Sequence, residues 1–369
     1  MRLALIAFLL LHGFLHLLGV AKAFGLAALP QLKVPIAPGL GVVWGTAALG
    51  FFAAAACLVA APRWWWAPAL AALAASTVAI VPSWSDAWAG AVANVALLAV
   101  AVPAAFIHGP LGQRAEYDRD LTALRVAGAR GAIRVVTDAD LAPLPAPVQR
   151  YLRVSGVVGH PHVTSFRVRM HGRIRSGPEA TWMPIVAEQV NTLDPPARLF
   201  YLDATMMGLP VTGYHRYVDG AASMLVKLAG LVPVARDAGP AMTRAETVTL
   251  LNDLCLLAPA TLVAPALTWT AVDDREARVR FTAGATSVEA TVLFGSDGRV
   301  TDFWSDDRGR VQADGTSTAG QRWSTPVAEY RRFGAFTLIG HGDARWHPPG
   351  GAYPYIELDI DDVAYNIVP

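Results

Sequence analysis

The chain has 369 residues, of which 54% are hydrophobic, and its 30 Lys and Arg against 29 Asp and Glu leave a formal charge of +1. That balance argues against a nucleic-acid partner, and the two cysteines, Cys57 and Cys255, argue against a disulfide framework or a cysteine zinc site. The charge is unevenly spread: the first 107 residues hold only Arg2, Lys22, Lys33, Arg63 and Asp86, and 26 basic and 28 acidic residues follow.

Four apolar runs fill that first part, Leu3 to Val20, Leu40 to Ala61, Trp64 to Val81 and Ala87 to Ile107, each near the ~20 residues a membrane helix requires. Trp64, Trp65, Trp66, Trp84 and Trp88 fall at run ends, where indole rings favour the bilayer interface. Arg2 and Ala21-Lys22-Ala23 also fit the layout of a cleavable signal peptide, but an 18-residue apolar core is long for one, so the first run is taken as a retained span. Arg2, Arg63, Arg114, Arg119 and Arg125 lie on one side of four spans, and Lys22 and Lys33 on the other. The positive-inside rule then predicts an inner-membrane protein whose soluble part is cytoplasmic.

Three segments are expected: a four-helix transmembrane domain over 1–110, a charged connector over 111–140, and a soluble domain over 141–369. In the last, Pro147 to Ser155 closed by Gly156 predicts a short helix. Period-2 alternation predicts strands over Phe166 to Ile174, Ala277 to Phe281, Ser287 to Phe294 and Tyr355 to Ile360, and Ser296-Asp297-Gly298 predicts a hairpin into Val300 to Trp304. Thr243-Arg-Ala-Glu246 fits a capping box leading a helix through Leu257, with Val248, Leu251, Leu254 and Cys255 inward. The fold class is therefore a four-helix membrane segment plus an α+β soluble domain, a curved antiparallel sheet around a packed helix.

Leu144-Pro-Ala-Pro-Val-Gln-Arg-Tyr-Leu152, Trp182-Met-Pro with Ala187-Glu-Gln189, Asn252-Asp-Leu-Cys-Leu-Leu-Ala-Pro259 and Ser305-Asp-Asp-Arg308 resemble an uncharacterised bacterial membrane family classed as a domain of unknown function. His12-Gly-Phe-Leu-His16 and the Trp84-Ser-Asp86 to Asn94 stretch are similar to the membrane segment often found with it. The soluble part more distantly resembles the half-open barrel of the lipoprotein-carrier fold, and that resemblance implies a concave face able to hold acyl chains.

Within the spans, polar groups are costly unless paired. His12 and His16 share a helix face and read as interhelical hydrogen-bond glue, with haem, metal or proton relay as the functional alternative. Asp86 reads as the cap of the fourth helix, with a proton or ion site on its stripe with Gly90 and Asn94 as the functional alternative. Lys22 and Asp86 emerge at one membrane face, where an ion pair is allowed, and His16 and Asn94 lie about 9 and 12 Å deeper at ~1.5 Å per residue, which predicts a bond between them.

In the soluble part, Trp182, Trp269, Trp304 and Trp323 fall in strand-like segments and are candidates to line an apolar pocket. The leading reading is a non-enzymatic protein that meets membrane lipid and binds an apolar ligand such as an acyl chain, with no cofactor and no metal. One alternative is an enzyme using Asn252, Asp253 and Cys255 with His171, His215 or His341 and an acid from Asp302 to Asp307. Another is a structural or assembly role.

Overall fold

A computed structural model describes residues 2–127, 134–311, 317–318 and 320–367. It forms two compact units, Met1–Glu116 with Ala229–Leu231, and Tyr117–Leu228 with Val232–Pro369.

The first unit contains α1 (Arg2–Ala23), α2 (Pro38–Ala60), α3 (Trp66–Ile80) and α4 (Trp84–His108), each packed on the next. Small residues permit close approach: Ala47, Ala54, Ala69 and Ala72 are buried, and a side chain at Gly50 would collide with Ala72. Outward faces stay apolar, with Leu11, Phe14, Leu49 and Val95 all exposed. By length and composition, α1, α2 and the stretch Trp66–Val126 could cross a membrane. Where the sequence suggests four spans, the structure gives three such stretches among the described residues. The difference lies in α3, whose 15 residues run on into α4 so that the two fall in one stretch; α3 alone rises about 22 Å, short of a ~30 Å hydrocarbon core. A single 3-10 turn, Val81–Ser83, joins it directly to α4.

In the second unit, α5 (Gln113–Ala127, from Tyr117 onward), α6 (Asp138–Leu141) and α7 (Ala146–Val154) precede the sheet. Of the expected connector, residues 128–133 lie outside the described residues. The strands before the central helix are β1 (Ser165–Ile174), β2 (Met183–Leu193), β3 (Pro196–Met206), β4 (Leu209–Val218), β5 (Ala221–Leu228) and β6 (Val232–Ala238). After α8 (Pro240–Leu257) come β7 (Leu267–Ala271), β8 (Glu276–Ala283), β9 (Thr286–Phe294), β10 (Val300–Ser305), β11 (Arg310–Val311) and β12 (Ser317–Thr318). The chain ends with β13 (Trp323–Ser324), β14 (Val327–Phe333), β15 (Phe336–Trp346) and β16 (Tyr353–Tyr365).

All pairings are antiparallel. The main sheet has fourteen strands in the order β6-β5-β4-β3-β2-β1-β16-β15-β13-β10-β9-β8-β7, with β14 also on β15. Two-residue turns at Met207-Gly208 and Asp219-Gly220 have positive φ at both positions, the geometry whose twist suits a tight hairpin.

The curved sheet wraps α8, which is buried on nearly every side, its polar residues included. Val248, Leu251, Leu254 and Cys255 are each fully buried, as the spacing predicts. The start of α8 differs from the sequence reading. Pro240 sits in the first turn after Gly239, Thr243 lies inside the helix and accepts the Ala222 N–H at 3.0 Å, and Glu246 is turned into the interior. Proline's fixed φ and missing donor make it a better helix start than the Thr243 box.

Alternation in β3 assigns its two faces. Leu199 and Tyr201 pack against Tyr117, Leu121 and Leu124 of α5, while Phe200, Leu202 and Ala204 face the concave side. The concave side therefore belongs to α8 and to the space beside it.

Candidate functional site

Register arranges the concave face in rows. Phe200 lies between Gln189 and His215, and His215 pairs with Met224. The next inward rows are apolar, with Leu202 opposite Ala187 and then Ala204 between Ile185 and Val211. Met170, Ile174, Val226, Ile339, Ile356 and Ile360 continue this lining around a cavity of about 460 Å³. That size falls within the roughly 300–1,000 Å³ of small-molecule sites.

At the polar end, α8 presents Glu246, Thr249, Asn252 and Asp253, spaced so that they share one face. Arg198, from the start of β3, reaches all around them. Its Nε donates to Asp253 Oδ2 at 2.7 Å, Nη1 to Glu246 Oε2 at 2.8 Å and Nη2 to Gln189 Oε1 at 2.8 Å. Gln189 Nε2 and Asn191 Nδ2 also donate to Asp253 Oδ2, at 2.8 and 3.1 Å, and His215 Nδ1 donates to Glu246 Oε1 at 3.0 Å. Burial works against the charged Glu246, but the Arg198 guanidinium and the His215 bond hold its carboxyl at about 2. For Asp253, burial prevails over the pull of Arg198 and pushes the carboxyl up.

On the facing wall, Trp323 is buried and donates from Nε1 to the Tyr355 hydroxyl at 3.2 Å, and Tyr355 stacks on Trp346. The Arg308 guanidinium lies 4.6 Å from the Trp323 ring centroid and 5.1 Å from that of Trp346.

Of the four tryptophans singled out by the sequence, Trp323 lines the cavity. Trp182 instead packs against the guanidinium groups of Arg173 and Arg175 at 4.6 and 4.5 Å, Trp269 donates to the Leu262 carbonyl at 3.2 Å, and Trp304 lies under Arg322 at 3.6 Å. The residues of the enzyme alternative are only partly brought together: Asn252, Asp253 and His215 line the cavity, and the others do not. Cys255 is enclosed, burial pushing its thiol up, and Asn252 donates to Thr325 Oγ1 at 2.6 Å. His171 pairs with Asp361 at 2.7 Å and His341 with Asp359 at 3.1 Å, leaving His215 as the one of the three histidines at the cavity. Asp306 and Asp307 pair with Arg322 and Arg244 at 3.2 and 2.6 Å. Sequence reasoning missed Arg198, Gln189 and the inward role of Glu246. The available signal was Arg198 itself, a charge on the apolar phase of Arg198, Phe200, Leu202 and Ala204.

Within the first unit the polar side chains form a cluster one turn away from the expected arrangement. His12 Nε2 donates to Asn94 Oδ1 at 2.9 Å, and His16 donates from Nδ1 to the His12 carbonyl at 2.8 Å. Ser76 Oγ lies 2.8 Å from His16 Nε2 and 3.0 Å from Asn94 Oδ1. At ~1.5 Å per residue, Asn94 sits about midway in depth between His12 and His16, so the predicted His16 partner is replaced by Ser76 of α3. Lys22 and Asp86 do not pair: Lys22 Nζ donates to the Leu32 carbonyl, and Asp86 Oδ2 accepts the Val34 N–H at 2.7 Å. The loop after α1 supplies both partners. Asp86 is also not the cap, since α4 begins at Trp84 with Ser83 in the cap position. Among the described residues, no group of three or more His, Cys, Asp or Glu is placed to hold a metal ion.

The fold is similar to two solved structures. A DUF1329 family protein from Desulfovibrio piger aligns over 63% of this chain and 95% of its own at 9% identity and a TM-score of 0.34. A LolA superfamily protein from Nitrosomonas europaea aligns over 64% and 96% at 10% identity and a TM-score of 0.29. Both likenesses are weak. No curated protein matches the sequence. The family of unknown function DUF6544 matches residues 134–358, more than half of the chain, and the chain belongs to that family.

Proposed function

We propose that this is an integral protein of the bacterial inner membrane whose half-barrel binds an apolar ligand, such as a lipid acyl chain, in the concave cavity. In this reading residues 1–110 lie in the bilayer, 111–140 connect, and 141–369 form the binding domain on the cytoplasmic side. One observation carries it: an aliphatic concavity of about 460 Å³ stands beside a helix whose own core is filled. Protein interiors are otherwise packed like organic crystals, so unfilled apolar wall of this extent is a place for the apolar atoms of another molecule. The polar groups at its end support binding more than catalysis, because Arg198, Glu246 and Asp253 are bonded to one another and to the strands. The apolar runs and the Lys/Arg distribution of the first 125 residues support the placement.

Native mass spectrometry of the detergent-purified full chain tests the binding claim. A co-purifying lipid is expected, and Ala204→Trp, which fills the cavity, should remove it. Protein that carries no lipid and takes up none on addition would contradict the reading. A C-terminal alkaline phosphatase fusion tests the side: an inactive fusion agrees, and a strongly active one reverses the topology.

A further inference from the structure

We infer that the ligand is an acyl chain ending in an anionic oxygen head, a carboxylate or phosphate, and that Arg308 binds that head. The inference rests on the cavity being the ligand site. It begins with the turn Ser305-Asp306-Asp307-Arg308. Asp307 is held by Arg244 at 2.6 Å and by the Glu289 N–H at 2.7 Å, Asp306 is held by Arg322, and Ser305 Oγ accepts the Asp307 N–H at 3.1 Å. With both acids committed, the turn places Arg308 on the cavity wall.

There Arg308 Nε donates to Thr249 Oγ1 at 3.1 Å, and the guanidinium rests against Trp323 and Trp346. Among the described residues, no carboxylate lies within the 4.0 Å of an ion pair, and neither terminal nitrogen has a hydrogen-bond partner. The contrast is with Arg198, whose three nitrogens are all engaged. The lining carboxylates are engaged as well: Glu246 is bonded by Arg198 and His215 and feels the Arg308 charge only from beyond bonding distance, Asp253 is held by Arg198, and Asp343 by Arg345 at 2.8 Å. Arg308 therefore offers a fork of N–H donors, fixed in direction by two indole faces. Such a fork fits the paired oxygens of a carboxylate or phosphate. Its half-buried position sets the head at the water's edge while the tail follows the aliphatic rows.

The test compares laurate, dodecyl phosphate and dodecanol, binding to the full chain in a non-ionic detergent by native mass spectrometry. At least one anion should bind about tenfold or more tightly than dodecanol, and which one prefers the site separates a fatty acid from a phospholipid-type head. Arg308→Gln should erase that preference and leave dodecanol binding unchanged, which also shows that the variant folds. Arg308→Lys should keep part of it. Equal affinities in the unmodified protein, or an anion preference that survives Arg308→Gln, would overturn the role of Arg308 while leaving the cavity reading intact. If none of the three probes binds, the cavity reading itself fails.

Discussion

The two units solve opposite problems. In α1–α4 the polar groups His12, His16, Ser76 and Asn94 are gathered inside and the apolar side chains point outward. In the half-barrel, charged side chains decorate the outside, yet the concave face keeps both a buried charge network and uncovered aliphatic wall. Apolar surroundings demand that polar groups be satisfied internally, and the helices do so with short, uncharged links. The half-barrel, which the proposed placement leaves in water, can turn its surface polar groups to solvent instead. Its buried Arg198 cluster and unfilled cavity therefore mark where the second unit departs from simple packing.

The contrast is most easily broken at Arg198. Arg198→Met leaves Glu246 and Asp253 without their shared cation in the interior, and should cost about 3–5 kcal/mol, measured by denaturant unfolding. A loss under 1 kcal/mol would mean that the carboxylates are not charged partners. Next in size, Leu254→Ala in the filled core around α8 should cost about 2–5 kcal/mol. Leu202→Ala, on the cavity wall, should cost clearly less, because its removed atoms already border open space. Equal costs would argue that the cavity is closed by packing.

In the helical unit, Asn94→Leu removes the hub of uncharged bonds and should cost about 0.6–2 kcal/mol in detergent, the scale of such links between membrane helices. An effect as large as that of Arg198→Met would point to a charged or functional cluster there.

A further test is one of pH. Burial raises the Asp302 carboxyl to about 6, so the folded state binds a proton there more tightly than the unfolded chain, whose carboxyl titrates near 3.8. Stability from this group is therefore full below about 4 and declines as pH rises through 6. Glu246, held at about 2, acts with the opposite sign, losing its contribution as pH falls from 4.5 towards 2. Asp302→Asn should flatten the decline between pH 4 and 6 and leave the acid limb in place. An unchanged profile would remove Asp302 from the account.

Strands with one wet face were legible. In β8 the burial alternates residue by residue, and β1, β9, β10 and β16 also carried enough pattern to be found. The run from β2 to β6 was not, largely because α5 covers the outer face of β3, so Leu199, Phe200, Tyr201 and Leu202 are all buried and period two disappears. The helix α8 was legible in its apolar spacing but not in its start, since Glu246 serves a partner 48 residues away. Arg198 and Asp253, 55 residues apart, meet only through the sheet. In α1, composition identified the polar face, but a one-turn choice between His12 and His16 depends on relative helix depth that spacing alone does not fix.

The most direct test of the central claim is photocrosslinking of a diazirine-bearing acyl chain to the full protein in nanodiscs, with labelled peptides mapped by mass spectrometry. Label is expected on α1–α4 in any case, from surrounding lipid. The account predicts additional label on the inward residues of β3–β5, around Leu202, Val211 and Val226, and its loss in Ala204→Trp. Label confined to the helices, with the half-barrel untouched, would contradict it.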